Sequence, residues 1–417
     1  MKLFRRLILL LVTTPMFATT YYIATTGSDS NTTTQAQNPS TPWLTMQHAV
    51  DTMVAGDTTL VEDGIYTAAT QNPSCTGGEN TGKHMVGISN SGTSGAYITL
   101  RSQNKWGAIL DSGVTLSTTT GCAEAIRFTG GNYIRVQDLV IRNFTDLAFN
   151  RYSSTSTNID IVGNWVHDIG RYCTNTTSGR DGFFLDGGNF TVEQNVFSDI
   201  GKYAVGENGC ASAPYINQDH GIYVAGSATI MIRNNIFYRI EHGFAVQNYP
   251  YGGSPTISIL NNTISWCNNQ TQRGCIVNDG AGTMLIENNI SYDPSDALLY
   301  TGSTQATTCT VNNNLVSNST GLFVSGGQQN CTISGNIVNT NPLLVNVGVQ
   351  TMDTAPLTPD AHETSISPGI GHGVTLSDVT NDYAGNPRPS GSYDIGAYQF
   401  TTGTAPNPPT SLTVTVH

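Results

Sequence analysis

The chain has 417 residues, with 29 acidic side chains against 17 basic ones, a formal net charge of −12 and only 11% charged residues. Its four lysines are Lys2, Lys83, Lys105 and Lys202; a basic surface able to grip phosphate backbones is excluded, and no nucleic-acid partner is expected. The 44 glycines, the abundant Asn and Thr and the 38% hydrophobic content exclude a helical bundle, yet leave enough apolar material for a large core.

Residues 1–18 read as a secretory signal peptide: Lys2, Arg5 and Arg6 precede the apolar run Leu7 to Val12, and small residues precede Thr19. That run is far shorter than the roughly 20 residues a bilayer-spanning helix needs, and no later stretch qualifies. A secreted chain, extracellular or periplasmic and without a transmembrane segment, is the expectation. Its eight cysteines suit four disulfides in an oxidising compartment.

The middle of the chain repeats. Ile159 and Ile161 are followed by Asn164, Phe190 and Val192 by Asn195, Ile230 and Ile232 by Asn235, and Ile257 and Ile259 by Asn262. The same step leads from Met284 and Ile286 to Asn289, from Cys309 and Val311 to Asn314, and from Cys331 and Ile333 to Asn336. The intervals between these asparagines are 31, 40, 27, 27, 25 and 22 residues, which with period-2 alternation of apolar residues predicts one β-solenoid coil per repeat. The rung at Ile134 and Val136 has Leu139 in place of the asparagine. A second strand precedes each rung, at 181–187, 220–226, 242–248 and 273–279, with further copies at 124–130, 296–302 and 320–326. Coils stacked about 4.8 Å apart would let the Asn side chains hydrogen-bond from turn to turn.

Three regions carry a resemblance. Tyr21 to Ser30, Pro42 to Asp51 and Ala55 to Tyr66 resemble the start of secreted right-handed parallel β-helix proteins of the pectate-lyase-like superfamily. The coils follow, and Asp394 to Tyr398, after Gly385 to Arg388, resembles their closing segment. The resemblance implies an all-β, single-stranded right-handed parallel β-helix whose N-terminal cap includes a short helix. The expected organisation is a cap with first coils over 19–95, the β-helix over 96–347, a closing segment over 348–400 and a Pro-rich tail over 401–417. Ala405 to Pro409 reads as a linker, so the chain is read as stopping short of a further domain.

In the coil frame, Glu124, Asp146, Asp181, His220, His242, Arg273 and Asp296 fall at the head of successive strands and are expected to form one column. Arg127, Arg151, Asp186, Tyr223, Gln247 and Asn278 are expected on the outward positions beside it, able to bond hydroxyls, stack on sugar faces and pair carboxylates. The insertions 172–180 and 203–218 fall beside Asp181 and His220 and are expected to wall a groove. A solvated turn is the plain alternative for such a column, and ordinary surface for each outward residue.

The leading functional reading is a polysaccharide lyase, or epimerase-like enzyme, acting on a uronic-acid polymer. In it His220 or His242 takes the proton α to the sugar carboxylate, Tyr223 donates a proton, and Arg273 neutralises the carboxylate. Arg151, Arg180, Asp186, Gln247 and Asn278 would bind substrate, and Asp181, Asp186 and Asp219 are candidate calcium ligands. The superfamily implies a Lys or Arg base in many lyases, and Lys202 is the one lysine near the column. A second reading is an inverting glycoside hydrolase: Asp181 with Gly182, Gln218 with Asp219, His242 with Gly243, and Arg273 follow the order of polygalacturonase motifs. That match is partial, because Arg180 and His220 replace expected residues. A third is a non-catalytic glycan-binding or adhesion protein. His84 and His167 lack metal-ligand spacing, and glycine-rich pieces such as Ser325 to Gly327 do not lie between a strand and a helix, so no nucleotide cofactor is expected. A monomer is expected. Cys309 and Cys331 share one inward slot of adjacent coils and are expected to pair; Cys173 and Cys210 lie in the two insertions, leaving Cys75 with Cys122 and Cys267 with Cys275.

Overall fold

A computed structural model describes residues 18–113, 121–174, 177–211, 217–240, 242–249, 251–267, 274–292, 297–302, 308–317, 321–324, 331–348 and 359–401. The segment read as a signal peptide, up to residue 17, and Arg273, Asp296, Ser325 to Gly327 and the tail from 402 lie outside the described residues.

Three legs of parallel strand wind into a β-helix. The first leg stacks His84–Ile88, Glu124–Phe128, Leu147–Arg151, the opening halves of Arg180–Glu193 and Asp219–Arg233, then Gly243–Asn248, Ile276–Asn278 and Leu299–Thr301. The second runs from Thr20–Ile23 through Ile134–Gln137, Ile159–Val162 and the closing halves of the two long strands to Thr256–Leu260, Thr283–Glu287, Thr308–Asn312 and Cys331–Ser334. The third extends from Gly64–Thr67 to Ile337–Val338. In the two long strands the first corner survives only as a bulge between Leu185 and Gly187. There Gly188 holds φ +87°, and a Cβ would sit 2.6 Å from the Ser156 carbonyl, so a glycine is required.

Period-2 alternation sends one residue in two to the core. Ile134, Ile159, Phe190, Ile230, Ile257, Met284 and Cys309 lie in register, as do Val136, Ile161, Val192, Ile232, Ile259, Ile286 and Val311, and all are buried. This is the fold that the pectate-lyase-like resemblance implies.

The asparagine ladder follows. The Oδ1 of Asn195 accepts the Asn164 N–H at 2.8 Å, and the same bond repeats from Asn235 to Asn336 at 2.8–3.0 Å. Each Nδ2 donates to a carbonyl of the preceding coil, as Asn262 does to Ile232 at 2.9 Å. A buried turn thereby satisfies its backbone groups. Leu139 ends the ladder without loss, since its N–H donates to Asn164 Oδ1 at 3.0 Å. The residue before each rung, Asp138, Gly163, Gln194, Asn234, Asn261, Asn288, Asn313 or Gly335, is left-handed with φ between 50° and 67°, a region that Asn and Gly tolerate well.

The ends are closed differently. The helix Met46–Thr52, capped by Thr45 Oγ1 accepting the His48 N–H at 3.2 Å, buries Met46, Ala49 and Val50. Its Gln47 side chain acts as a strand substitute, donating to Gly87 O at 3.0 Å and accepting the Gly87 N–H at 2.8 Å. Residues 359–400 run back along the left-handed column: Asn234, Asn261, Asn288 and Asn313 donate to Asn381, Asp394, Val374 and His372 carbonyls at 2.7–3.0 Å. Four disulfides join Cys75–Cys122, Cys173–Cys210, Cys267–Cys275 and Cys309–Cys331, the expected pairs.

Candidate active site

The register corrects the expected column. Glu124 pairs with Leu147, Leu147 with Asp181, Asp181 with His220, and His220 with Phe244. Asp146 is thus one residue ahead of the column and His242 two ahead, because the corners preceding Leu147 and Phe244 differ in length from the others. Arg180 is in register with Asp219 and Gly243.

A cleft of about 480 Å³ opens on this leg. It is lined by Glu124, Asp146, Asp181 and Asn150 and by the rings of Tyr152, Phe184, Tyr223 and Tyr251. Thr177 to Arg180 and Gln218 come from the insertions expected to form a wall, and Asn80 and Gly82 from the N-terminal region. The Asn80 N–H donates to Asp146 Oδ2 at 2.6 Å, and Glu79 accepts from the Tyr172 hydroxyl at 2.7 Å and from Arg180. Cys75–Cys122 anchors that N-terminal segment beside Glu124 and Cys173–Cys210 ties the insertions together.

The carboxyl groups in the cleft are held unlike exposed ones. Glu124 is 3% exposed; it pairs with Arg127 at 2.9 Å and accepts from Asn150 Nδ2 at 2.8 Å, yet burial pushes its pKa up to about 7. Burial, then the Asp219 charge, raises Asp181 well above the carboxylate range. Burial also raises Asp146, against the opposing pull of Arg180, whose guanidinium lies 3.5 Å away. Burial thus favours the protonated form of all three, and a protonated carboxyl is able to donate a hydrogen bond or a proton.

The two histidines are buried and neither lines the cleft. His220, 1% exposed, accepts the Phe244 N–H on Nδ1 at 3.3 Å, and burial depresses its pKa to about 3. With Nδ1 occupied and protonation suppressed, His220 is a poor base, contrary to expectation. His242 is equally buried, neither ring nitrogen finds a partner among the described residues, and its pKa is lowered by burial; it faces no cleft lining. Asp219 and Lys202 form a buried ion pair at 2.6 Å, and Asp219 also accepts the Arg180 and Lys202 N–H groups at 3.1 and 3.0 Å. These two fasten the roots of both insertions, and neither lines the cleft.

The residues do not fit the expected calcium site. Asp186 is engaged by Arg151 and the Ser153 N–H, Asp219 by Lys202, and only Asp181 faces the cleft; no metal-binding group of three is assembled among the described residues. Of the expected substrate contacts, Arg180 and Tyr223 line the cleft and Gln247 stands next to Tyr223 in register. Arg151 and Asp186 neutralise each other. Asn278 is buried and accepts from Asn248 Nδ2 at 2.6 Å, inside the coil rather than on its surface. Sequence reasoning missed Asn80, Asn150, Tyr152, Phe184 and Tyr251; only the outward parity of Asn150 and Phe184 would have flagged any of them.

Residues 215–361 match the family described as a right handed beta helix region, about a third of the chain; with the parallel stack this makes the fold a right-handed parallel β-helix. No curated protein matches the sequence. Among solved structures the chain is similar to a rhamnogalacturonan lyase, at 16% identity over 76% of this chain and 73% of that one, with a TM-score of 0.46. It is also similar to pectate lyase Pel9A, at 15% identity over 93% and 97% with a TM-score of 0.46. A lacto-N-biosidase from Eubacterium ramulus is similar at 11% identity over 76% and 67%, with a TM-score of 0.38.

Proposed function

We propose that this is an exported carbohydrate-active enzyme, a polysaccharide lyase that acts on a uronic-acid-containing polymer laid in the Glu124–Tyr251 cleft. One observation carries the reading: two carboxyl groups whose pKa values burial raises, Glu124 and Asp181, share a cleft lined by aromatic rings. Glu124, partly ionised at neutral pH, takes the proton α to the sugar carboxylate. Asp181, whose protonated form burial favours, donates a hydrogen bond to that carboxylate, so that the developing enolate is stabilised by a fixed group. The C–H bond breaks, its electrons form the C=C bond, the glycosidic C–O bond breaks, and the Tyr223 hydroxyl supplies the proton to the departing oxygen.

Inverting hydrolysis is the second reading. Glu124 and Asp181 lie two coils apart, about 10 Å along the stack, a spacing near the roughly 6.5–9.5 Å between carboxyls that admits a water. The test is a panel of uronate-containing and neutral polysaccharides, read by ultraviolet absorbance of an unsaturated product and by reducing ends. Absorbance on a uronate polymer is expected, lowered about 10²–10⁴-fold in Glu124→Gln and Asp181→Asn with folding intact. Reducing ends without absorbance would replace elimination by hydrolysis, and no product from any polymer would overturn the enzymatic reading.

A further inference from the structure

Acids and aromatic rings share the coils of Leu147–Arg151 and Arg180–Glu193, but the rings alone continue onto the next two coils, through Tyr223 and Tyr251, an asymmetry that acid–base chemistry does not require. Phe184 and Tyr223 are adjacent outward residues of neighbouring coils, with ring centroids 5.1 Å apart and planes at 90°. Tyr152 continues the row on one side at 5.8 Å from Phe184, and Tyr251 on the other at 6.4 Å from Tyr223. The Tyr223 hydroxyl donates to that of Tyr251 at 2.9 Å. Tyr251 is 74% exposed and Tyr152 58%. Soluble proteins rarely leave large rings this bare without a ligand to cover them, and a pyranose with its apolar C–H face is the ligand that such rings stack against.

Beneath the row lies an unusual support. The His220 ring meets Tyr223 edge to face at 5.3 Å and stacks flat on Phe244 at 5.5 Å and 6°. Its Nδ1 is tied to the Phe244 N–H. A buried imidazole locked on both sides fixes the tilt of the ring above it.

We infer that Tyr152, Phe184, Tyr223 and Tyr251 form a stacking subsite running along the solenoid axis toward its C-terminal end, which holds the pyranose rings next to the one being cleaved, and that His220 is a positioning residue bracing Tyr223. This rests on the reading of the cleft as a glycan site. The polymer lies parallel to the axis, with its reacting unit over Glu124 and Asp181 beside Tyr152 and Phe184 and the following one or two units over Tyr223 and Tyr251, about 4.8 Å of platform per coil. Long oligosaccharides are therefore better substrates than short ones, and the row, rather than the carboxyls, sets that length dependence.

The experiment uses the intact protein with oligogalacturonides of two to eight units and, in parallel, neutral xylo- and gluco-oligosaccharides, measuring binding by calorimetry and cleavage by product absorbance and reducing ends. Tyr251→Ala is expected to raise Kd and KM for the long oligomers about tenfold, equivalent to about 1.4 kcal/mol, with kcat within a factor of about three and dimers unaffected. Tyr251→Phe should keep stacking and bind nearly as the parent. His220→Phe keeps a flat ring between Tyr223 and Phe244 but has no proton to exchange; it should retain at least about a third of kcat and the parent pH profile. Length-independent binding, or Tyr251→Ala indistinguishable from the parent, overturns the subsite even if Glu124→Gln abolishes cleavage. Loss of all activity in a folded His220→Phe overturns the bracing role and returns the imidazole to the chemistry. Failure of every oligosaccharide to bind the parent sinks the glycan reading itself.

Discussion

Glu124 keeps an arginine and an amide as partners, and still its pKa stands at about 7, because so little of it is exposed that lost hydration outweighs both. Acting as a base it works ionised, so kcat/KM should rise as pH passes through about 7 and then level. Glu124→Gln should remove that limb along with most of the rate. Stability should move oppositely. The unfolded carboxyl ionises near the usual 4.5, so its contribution is fully present below that value and is lost as pH rises through about 7. Thermal unfolding of parent and Glu124→Gln from pH 4 to 8 isolates the effect: the gap between them should shift across this window, and a constant gap would mean that Glu124 titrates normally. At this scale the sequence misled most over histidine. His220 and His242 carry the residue type that acid–base chemistry favours, but His220, though in register with Asp181, packs between Tyr223 and Phe244, and His242 falls two residues ahead of the column through its corner length.

Element by element, the repeat was legible because its cause is local. An asparagine three residues after an inward apolar pair recurs from Asn164 to Asn336, since each turn buries backbone donors that the asparagine of the next coil satisfies. Asn262→Ala would strip the acceptor from both the Asn235 N–H at 2.8 Å and its Nδ2 at 3.0 Å. The expected cost is about 1–3 kcal/mol for each buried donor left unpaired, read as a lowered urea midpoint with unchanged slope. Asn336→Ala, at the half-buried last rung, should cost less; equal losses at the two positions would show that the ladder adds nothing to backbone pairing. Cys309 and Cys331 were legible for the same reason, as neighbours in one inward column.

On the scale of the whole molecule, the cleft depends on a contact between distant parts of the chain. Glu79 and Asn80 reach Tyr172, Arg180 and Asp146, residues 66 to 101 positions away in the case of Asn80–Asp146 and Glu79–Arg180. Cys75–Cys122 closes a separation of 47 residues behind them. Replacing both cysteines by serine should lower stability by about 4 kcal/mol on the chain-entropy account and should raise KM as the wall loosens. Calorimetric Tm together with KM on the best polymer measures both, and an unchanged KM at lowered Tm would remove this segment from the substrate site.

The sequence alone determined the solenoid, the seven coils that carry the asparagine ladder, the buried apolar columns and the Cys309–Cys331 pair, because each follows from a short periodic rule applied coil after coil. It also located the two insertions that wall the cleft. Only the tertiary structure decided which of the charged residues meet. Asp186 is cancelled by Arg151 and Asp219 by Lys202, while Glu124 and Asp181, their pKa values raised by burial, share one cleft with Phe184, Tyr223 and Tyr251. Corner lengths set register between coils, burial sets protonation, and neither quantity is written in the spacing of the residues themselves.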